Sequence, residues 1–428
     1  MSVYTEPLFG KDQKFLNNTS NEVLCFHNFF KKDGCPYTRS DYRIVIVIYL
    51  SKAVTCMRLY HLSIFLIIIM IAITAGCIQS SSPQTKPVPA TSSPAVSPTP
   101  SGGTWTFVVF GDSRDITRDT LTGVSPYLIP IAVAVAEEKP ELVIYNGDLV
   151  SGWMISNSSP VATNYQAQFR NWMDIVAPIH NYTTGSGAPI YVIRGNHEDG
   201  PDQTVMPLLD AYRTSVAAGM PKNGPPGEEN LTYSFTWKGA KFIALDEYYP
   251  HNGKKETVNQ TWVDQELTTN TRPFTFVYGH TPAYLVKDDF DDRGYDIAVH
   301  PVLRDIFWNS LVNHNATAYF SGHAHIYVRG EKQGVQQIVA GNGGAVGSAF
   351  NQSEADPALT IEYPVREADK VGNTVGYLVI TVNETDGTLS AVQKIYNPKT
   401  KIWWNGDQFT LSSNGAVISN TAALKTKG

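Results

Sequence analysis

The four cysteines of this 428-residue chain, Cys25, Cys35, Cys56 and Cys77, all lie before residue 78, and nothing further on carries a thiol. Whatever folds beyond that point must therefore be stable without disulfides, in whichever compartment it works. An excess of basic charge is missing too: Lys and Arg total 33 against 39 Asp and Glu, a formal net charge of −6, with the basic residues scattered. No basic field is available to draw a polyanion, so nucleic acid is not expected as a partner, while a small phosphate ester remains open. No internal repeat recurs at a fixed period. Apolar residues are not scarce. At 42% of the chain they suffice for one large core or two modest ones, which excludes disorder throughout.

The first sharp feature is an almost unbroken apolar run from Leu62 to Gly76, with Arg58 before it and Cys77 after it. Its length suits the apolar region of a signal peptide better than a bilayer-spanning helix. The residues Thr74-Ala75-Gly76-Cys77 place small side chains before a cysteine and resemble a lipobox, which makes Cys77 a candidate for lipidation; Thr74 departs from the usual aliphatic residue. An uncleaved anchor helix over residues 57–77 is the alternative. Either reading attaches the protein to a membrane, by lipid or by apolar anchor, at the outer face of the cytoplasmic membrane or the cell surface. A start at Met57 would give a conventional signal-peptide opening, leaving residues 1–56 as an uncertain segment that need not belong to the natural product.

Residues 78–104 hold six prolines, many Ser and Thr, and Lys86 as the sole charge. Such a stretch cannot bury enough apolar surface to offset its ordering entropy and reads as an extended tether. From Trp105 the pattern changes to short apolar strands alternating with helical periodicity. Strands are expected at 106–110, 142–145, 190–193, 232–237, 241–245, 274–278 and 316–320, and helices near 130–138, 162–176, 205–218, 258–267 and 301–312. This alternation predicts an α/β domain over residues 105–402. It should close with a hairpin whose strands flank Asp386-Gly387, followed by a C-terminal tail over 403–428.

Metal-competent residues follow one strand after another: Gly111-Asp112-Ser113-Arg114, Gly147-Asp148, Gly195-Asn196-His197-Glu198, Gly279-His280 and Gly322-His323-Ala324-His325. Each cluster ends an apolar strand with a glycine, so two Asp, one Asn and three His are expected on one rim of the sheet. Carboxylate, imidazole and amide oxygen together suit a pair of divalent ions. Such a pair, about 3.5–4 Å apart, stabilises attacking and leaving oxygens in displacement at phosphorus. His300 and His314 lie outside these clusters and read as ordinary structural histidines.

In this order the five blocks resemble the signature of the calcineurin-like phosphoesterases, the metallophosphatase superfamily, over about residues 105–345. The resemblance implies a four-layer α/β/β/α sandwich of two mixed sheets flanked by helices, and hydrolysis of a phosphomonoester or phosphodiester by a metal-bound hydroxide. It implies Asp112, Asp148 and His325 on a first metal and Asp148, Asn196, His280 and His323 on a second, the ions being Mn, Fe or Zn. His197 is similar to the family histidine that contacts phosphate or assists the leaving group, with Glu198 a candidate to orient its ring. The block GHAHIYVRG further resembles the purple acid phosphatase branch, but Ser151 stands where that branch has a tyrosine, so a tyrosinate-bound iron is not implied.

Arg114 is the departure, occupying the place of a metal-ligating histidine. Guanidinium cannot ligate a metal, so the site holds one metal only, or is completed otherwise, or Arg114 grips substrate phosphate as a planar fork. A structural ion pair with Asp115 or another acid is the plainer role. The alternative to an enzyme is a metal-binding surface module of the same fold with little or no turnover. Sequons such as Asn181, Asn230 and Asn315 also permit a surface glycoprotein.

Overall fold

The structure is a computed structural model that describes residues 102–115, 122–154, 164–200, 202–286, 296–345, 355–363 and 374–420. The apolar run, the lipobox and nearly all of the tether lie outside the described residues. Among those residues no helix is long and apolar enough to cross a membrane.

The strands are β1 (Thr104–Phe110), β2 (Leu142–Tyr145), the two-residue pair β3 (His180–Asn181) and β4 (Ser186–Gly187), β5 (Ile190–Val192), β6 (Tyr233–Trp237), β7 (Ala240–Ala244) and β8 (Phe274–Tyr278). They continue with β9 (Ala318–Ser321), β10 (Tyr327–Lys332), β11 (Val335–Ala340), β12 (Thr360–Tyr363), β13 (Val375–Asn383), β14 (Thr388–Asn397), β15 (Ile402–Ser412) and β16 (Val417–Asn420). Two seven-stranded sheets result, in the orders β16-β15-β14-β13-β1-β2-β5 and β12-β10-β11-β9-β8-β7-β6. Both are mixed: β1, β2 and β5 run parallel, as do β7, β8, β9 and β11, while the remaining partners pair antiparallel.

Alternation along β1 shows why the layers form. Val108 and Phe110 join a core with the helices Leu128–Glu137, Tyr165–Ile175 and Asp202–Thr214, whereas Trp105, Phe107 and Val109 point the other way. That second face meets Phe242, Phe276 and Phe320 of the opposite sheet, with the Phe107 ring centroid 5.1 Å from that of Phe276 and 5.4 Å from that of Phe242. A third core, around Ile243, Val277 and Tyr319, packs the second sheet on helices Gln260–Thr268 and Pro301–Asn313. Successive side chains of a strand face opposite sides, so strands apolar at every position demand cover on both faces. The expected α/β/β/α sandwich is the observed architecture.

Two boundaries differ from those expected. Thr104 already pairs with Asn383, so the first strand begins inside the stretch read as tether. Residues 403–420, expected within a tail, are strands instead: β15 pairs along β14, and β16 closes that edge. The sequence there alternates weakly, with Ile402 and Trp403 exposed, and its strand character comes from the neighbour it pairs with.

The strand β15 also joins the two sheets chemically. Arg329 on β10 is fully buried, its Nε 2.7 Å from Asp407 Oδ2 and its Nη2 3.2 Å from Oδ1, with Glu362 on its other side. Tyr327 donates to the same Asp407 oxygen at 3.0 Å, and the guanidinium lies 4.2 Å from the ring centroid of Phe409. The Tyr and Arg that follow the last histidine block are therefore a lock between sheets. Removing one partner strands a buried charge, whereas replacing the whole cluster with apolar side chains does not. Arg329→Leu is expected to lower unfolding stability by about 3–5 kcal/mol in urea titrations, and the triple change Arg329→Met, Asp407→Leu and Glu362→Leu to recover most of it. A single-variant loss within about 0.5 kcal/mol, the range of an ordinary surface change, would contradict this account.

Candidate metal centre

Each functional side chain is delivered by the end of a strand. Asp112 follows β1, Asp148 follows β2, Asn196 and His197 follow β5, His280 follows β8, and His323 and His325 follow β9. Backbone bonds then draw these loops together: Asp112 N donates to Gly147 O at 2.9 Å, Ser113 N to Asp148 O at 2.9 Å, and Gly322 N to His280 O at 2.7 Å. The sheets meet at the same place, since His323 N donates to Asp112 Oδ1 at 3.0 Å and His280 Nδ1 lies 2.7 Å from Asn146 O.

The histidine and amide side chains form one tight group. Asn196 Oδ1 lies 3.1 Å from both His280 Nε2 and His323 Nδ1, and His280 Nε2 is 3.4 Å from Asp148 Oδ1. Because the Asn146 carbonyl can only accept, His280 carries its proton on Nδ1 and turns the Nε2 lone pair toward two oxygen acceptors. On the other side His325 Nε2 is 3.8 Å from Asp112 Oδ1, and Asp112 Oδ2 is buried with no hydrogen-bond partner among the described residues. Ligating atoms of Asp112, Asp148 and His280 lie within 4.8 Å of one another. Lone pairs that face one another in a buried space are stabilised by a cation, and this O and N donor set fits a divalent metal.

Electrostatics agree with that fit. Burial pushes His280 and His323 down to about 3 and His325 well below its ordinary value, which keeps these imidazoles neutral, the form that ligates. Burial and the neighbouring Asp148 push the Asp112 carboxyl well above the usual range. The backbone is strained at three of these residues: φ is 63° at Asp112, 52° at Asp148 and 67° at His323. A left-handed conformation in a residue with a Cβ costs on the order of 1–3 kcal/mol and clusters at functional sites.

The glycines before the ligands serve close approach as well as turning. A Cβ on Gly195 would lie 2.1 Å from Asp148 Oδ1, and one on Gly322 would lie 2.1 Å from Asp112 Oδ2, although neither residue has a positive φ.

The structure brings Asp112, Asp148, Asn196, His197, His280, His323 and His325 to one place; His300 and His314 sit at the two ends of helix Pro301–Asn313, apart from the cluster. Arg114 joins it through an ion pair, its Nε 3.2 Å from Asp148 Oδ2, with the side chain 13% exposed. Glu198 does not orient the His197 ring. Its carboxylate accepts instead from the backbone of Asp148, Val150 and Gly195, and the ring is held by Ser151 O, 2.9 Å from His197 Nδ1. Reading side chains along the sequence missed Asn146 and Ser151, which act through their carbonyls and leave no residue signature. It also missed Glu247, whose signal was present: two acids, Asp246 and Glu247, end the apolar run of β7.

Over residues 107–327 the sequence matches the family model described as calcineurin-like phosphoesterase. No curated protein matches it. Among solved structures it is similar to a purple acid phosphatase from yellow lupin (Lupinus luteus) seeds, at 16% identity and a TM-score of 0.51, covering 76% of this chain and 57% of that one. It is also similar to PhoD, at 14% identity and a TM-score of 0.52, covering 76% of this chain and 73% of that one. The chain thus spans little more than half the length of the lupin protein, and at these identities the likeness concerns the fold.

Gly195→Ala is expected to weaken binding of Zn²⁺ or Mn²⁺ by about tenfold or more, because the new methyl displaces the Asp148 carboxylate. Calorimetric titration checks this, with circular dichroism confirming the fold. Gly219→Ala, where a Cβ meets nothing within 4 Å, should leave the affinity unchanged.

Proposed function

The chain belongs to the calcineurin-like phosphoesterase family, and from that membership we propose that it is an exported, membrane-anchored hydrolase of phosphomonoesters or phosphodiesters. The observation that carries the chemistry is the convergence of buried acceptors on Asp148, with Asp112 and His325 on one side and Asn196, His280 and His323 on the other. Mn, Fe or Zn ions held there would lower the pKa of a bound water and offset charge on the phosphoryl oxygens. Asp148 would be shared between the two positions.

The chain's own groups supply the rest. His197 Nδ1 is held by the Ser151 carbonyl, which leaves Nε2 facing the site, 3.8 Å from Asp148 Oδ2. Burial pushes His197 down to about 3, so with its proton on Nδ1 the ring presents a lone pair at Nε2, placed to accept a hydrogen bond from a protonated phosphate or a proton from water. Arg114 anchors through Nε on Asp148, so its terminal nitrogens remain to grip two phosphoryl oxygens as a fork. Asn196 holds the amide oxygen between the two imidazoles. Substitution of a ligating histidine by Arg114 favours the second reading, a metal-binding surface module with little or no turnover. Export and anchoring rest on the apolar run before Cys77 and on the Pro-rich tether.

Hydrolysis of a chromogenic phosphate ester with Mn²⁺ or Zn²⁺ present separates the readings. Asp148→Ala should lower turnover by at least about 100-fold while the fold persists, since the shared anion is lost. Arg114→Ala and Arg114→His should raise the Michaelis constant by the equivalent of about 1–3 kcal/mol, even where the new imidazole improves metal occupancy. An unaltered Michaelis constant in both variants would remove Arg114 from phosphate recognition, and no turnover with metal bound would favour the surface module.

The anchor is tested separately. If Cys77 is lipidated, Cys77→Ser should abolish incorporation of labelled fatty acid into the protein; retention of the label would assign the attachment elsewhere.

A further inference from the structure

Two buried glutamates outside the ligand set share an unusual arrangement. Glu198 and Glu247 are fully buried, and among the described residues neither is paired with a basic side chain. Glu198 spends both oxygens on backbone donors: Oε2 accepts from Asp148 N at 3.0 Å and Gly195 N at 2.7 Å, and Oε1 from Val150 N at 3.1 Å. One carboxylate thereby ties the loop that presents Asp148 to the loop that presents Asn196. Glu247, which follows β7 in the other sheet, braces the loop that presents His280. Its Oε2 accepts from Thr281 N and Thr281 Oγ1, both at 2.8 Å, and its Oε1 from Tyr319 Oη at 2.6 Å. The backbone at Gly279 presses against it, so that a Cβ there would lie 2.1 Å from Glu247 Oε1. His280 sits between those two contacts.

A neutral side chain could accept these bonds at a lower desolvation cost than a carboxylate, which is expensive to bury without a counter-charge. A cation in the centre above supplies one. We propose that Glu198 and Glu247 are positioning residues for the metal ions, holding the Asp148 and His280 loops in ligating geometry and adding negative charge beneath the cluster. The inference rests on the metal-dependent reading above. Groups that orient ligands in this way typically contribute 10- to 100-fold in metal affinity.

The test is calorimetric titration of metal-free full-length protein with Zn²⁺, alongside thermal unfolding. Glu198→Ala and Glu247→Ala should each weaken Zn²⁺ binding by about 10- to 100-fold at a temperature where the variant remains folded. Glu247→Gln, which keeps these bonds and removes the charge, should weaken Zn²⁺ binding less than Glu247→Ala does. Its amide oxygen can accept from Thr281 while its NH₂ donates to Tyr319, whose hydroxyl turns to Thr281 O, already 2.7 Å away. Glu198→Gln keeps the volume but turns a donor toward a backbone N–H, so it should fall between wild type and alanine; both glutamine variants decide the matter should an alanine variant fail to fold. Lowered melting temperatures with affinities within about twofold of wild type would overturn the proposal and leave the metal reading intact. A wild-type protein that takes up no Zn²⁺ or Mn²⁺ would overturn both.

Discussion

Two carboxylates, Asp112 and Asp148, are buried side by side at the edge where the two sheets meet, and the rest of the centre is built around the charge they carry. In a low-dielectric interior two such groups repel and are poorly solvated. The surroundings respond with neutral imidazoles, backbone donors and one guanidinium. His197 N donates to Asp148 Oδ1 at 3.1 Å and His323 N to Asp112 Oδ1 at 3.0 Å. These bonds orient the carboxylates without satisfying them, and among the described residues Asp112 Oδ2 has no hydrogen-bond partner. The arrangement is one that a divalent cation completes.

The sandwich makes this charge tolerable. Strands apolar on both faces, packed through the Phe107, Phe242, Phe276 and Phe320 rings between sheets, give a rigid platform. The left-handed conformations of Asp112, Asp148 and His323 are held by loops braced from several directions. Asp148 is fixed through its amide by Glu198, and its carbonyl accepts from Ser113 and Arg114. Arg329, Asp407 and Glu362 pin β10, β12 and β15 together, so that the motif residues Tyr327 and Arg329 serve the frame rather than the chemistry.

Arg114 gives the centre its individual character. A fixed positive charge stands 3.2 Å from Asp148 Oδ2, where the family pattern would have an imidazole. Guanidinium relieves carboxylate repulsion yet cannot donate a lone pair, so it replaces the electrostatic share of a ligand without its coordination bond. Its side chain remains partly open to solvent.

Much of the fold was legible in the sequence. The strands around Val108, Ile144 and Val277 announce themselves as short apolar runs, and the Asp386-Gly387 turn marks its hairpin, because strand and turn preferences are local. The glycine-led blocks announced a shared rim for the same reason: a glycine at a strand end before a polar residue is visible without knowing its neighbours. Tertiary structure alone decided which groups meet. Glu198 is next to His197 in the chain yet braces Asp148, Arg114 finds Asp148 rather than Asp115, and β15 becomes a strand because β14 lies beside it. The carbonyls of Asn146 and Ser151 set the histidine tautomers, and every residue owns a carbonyl, so no sequence distinguishes the ones that are used. Side-chain identity specifies what a residue can do; only the packing of distant segments specifies what it faces.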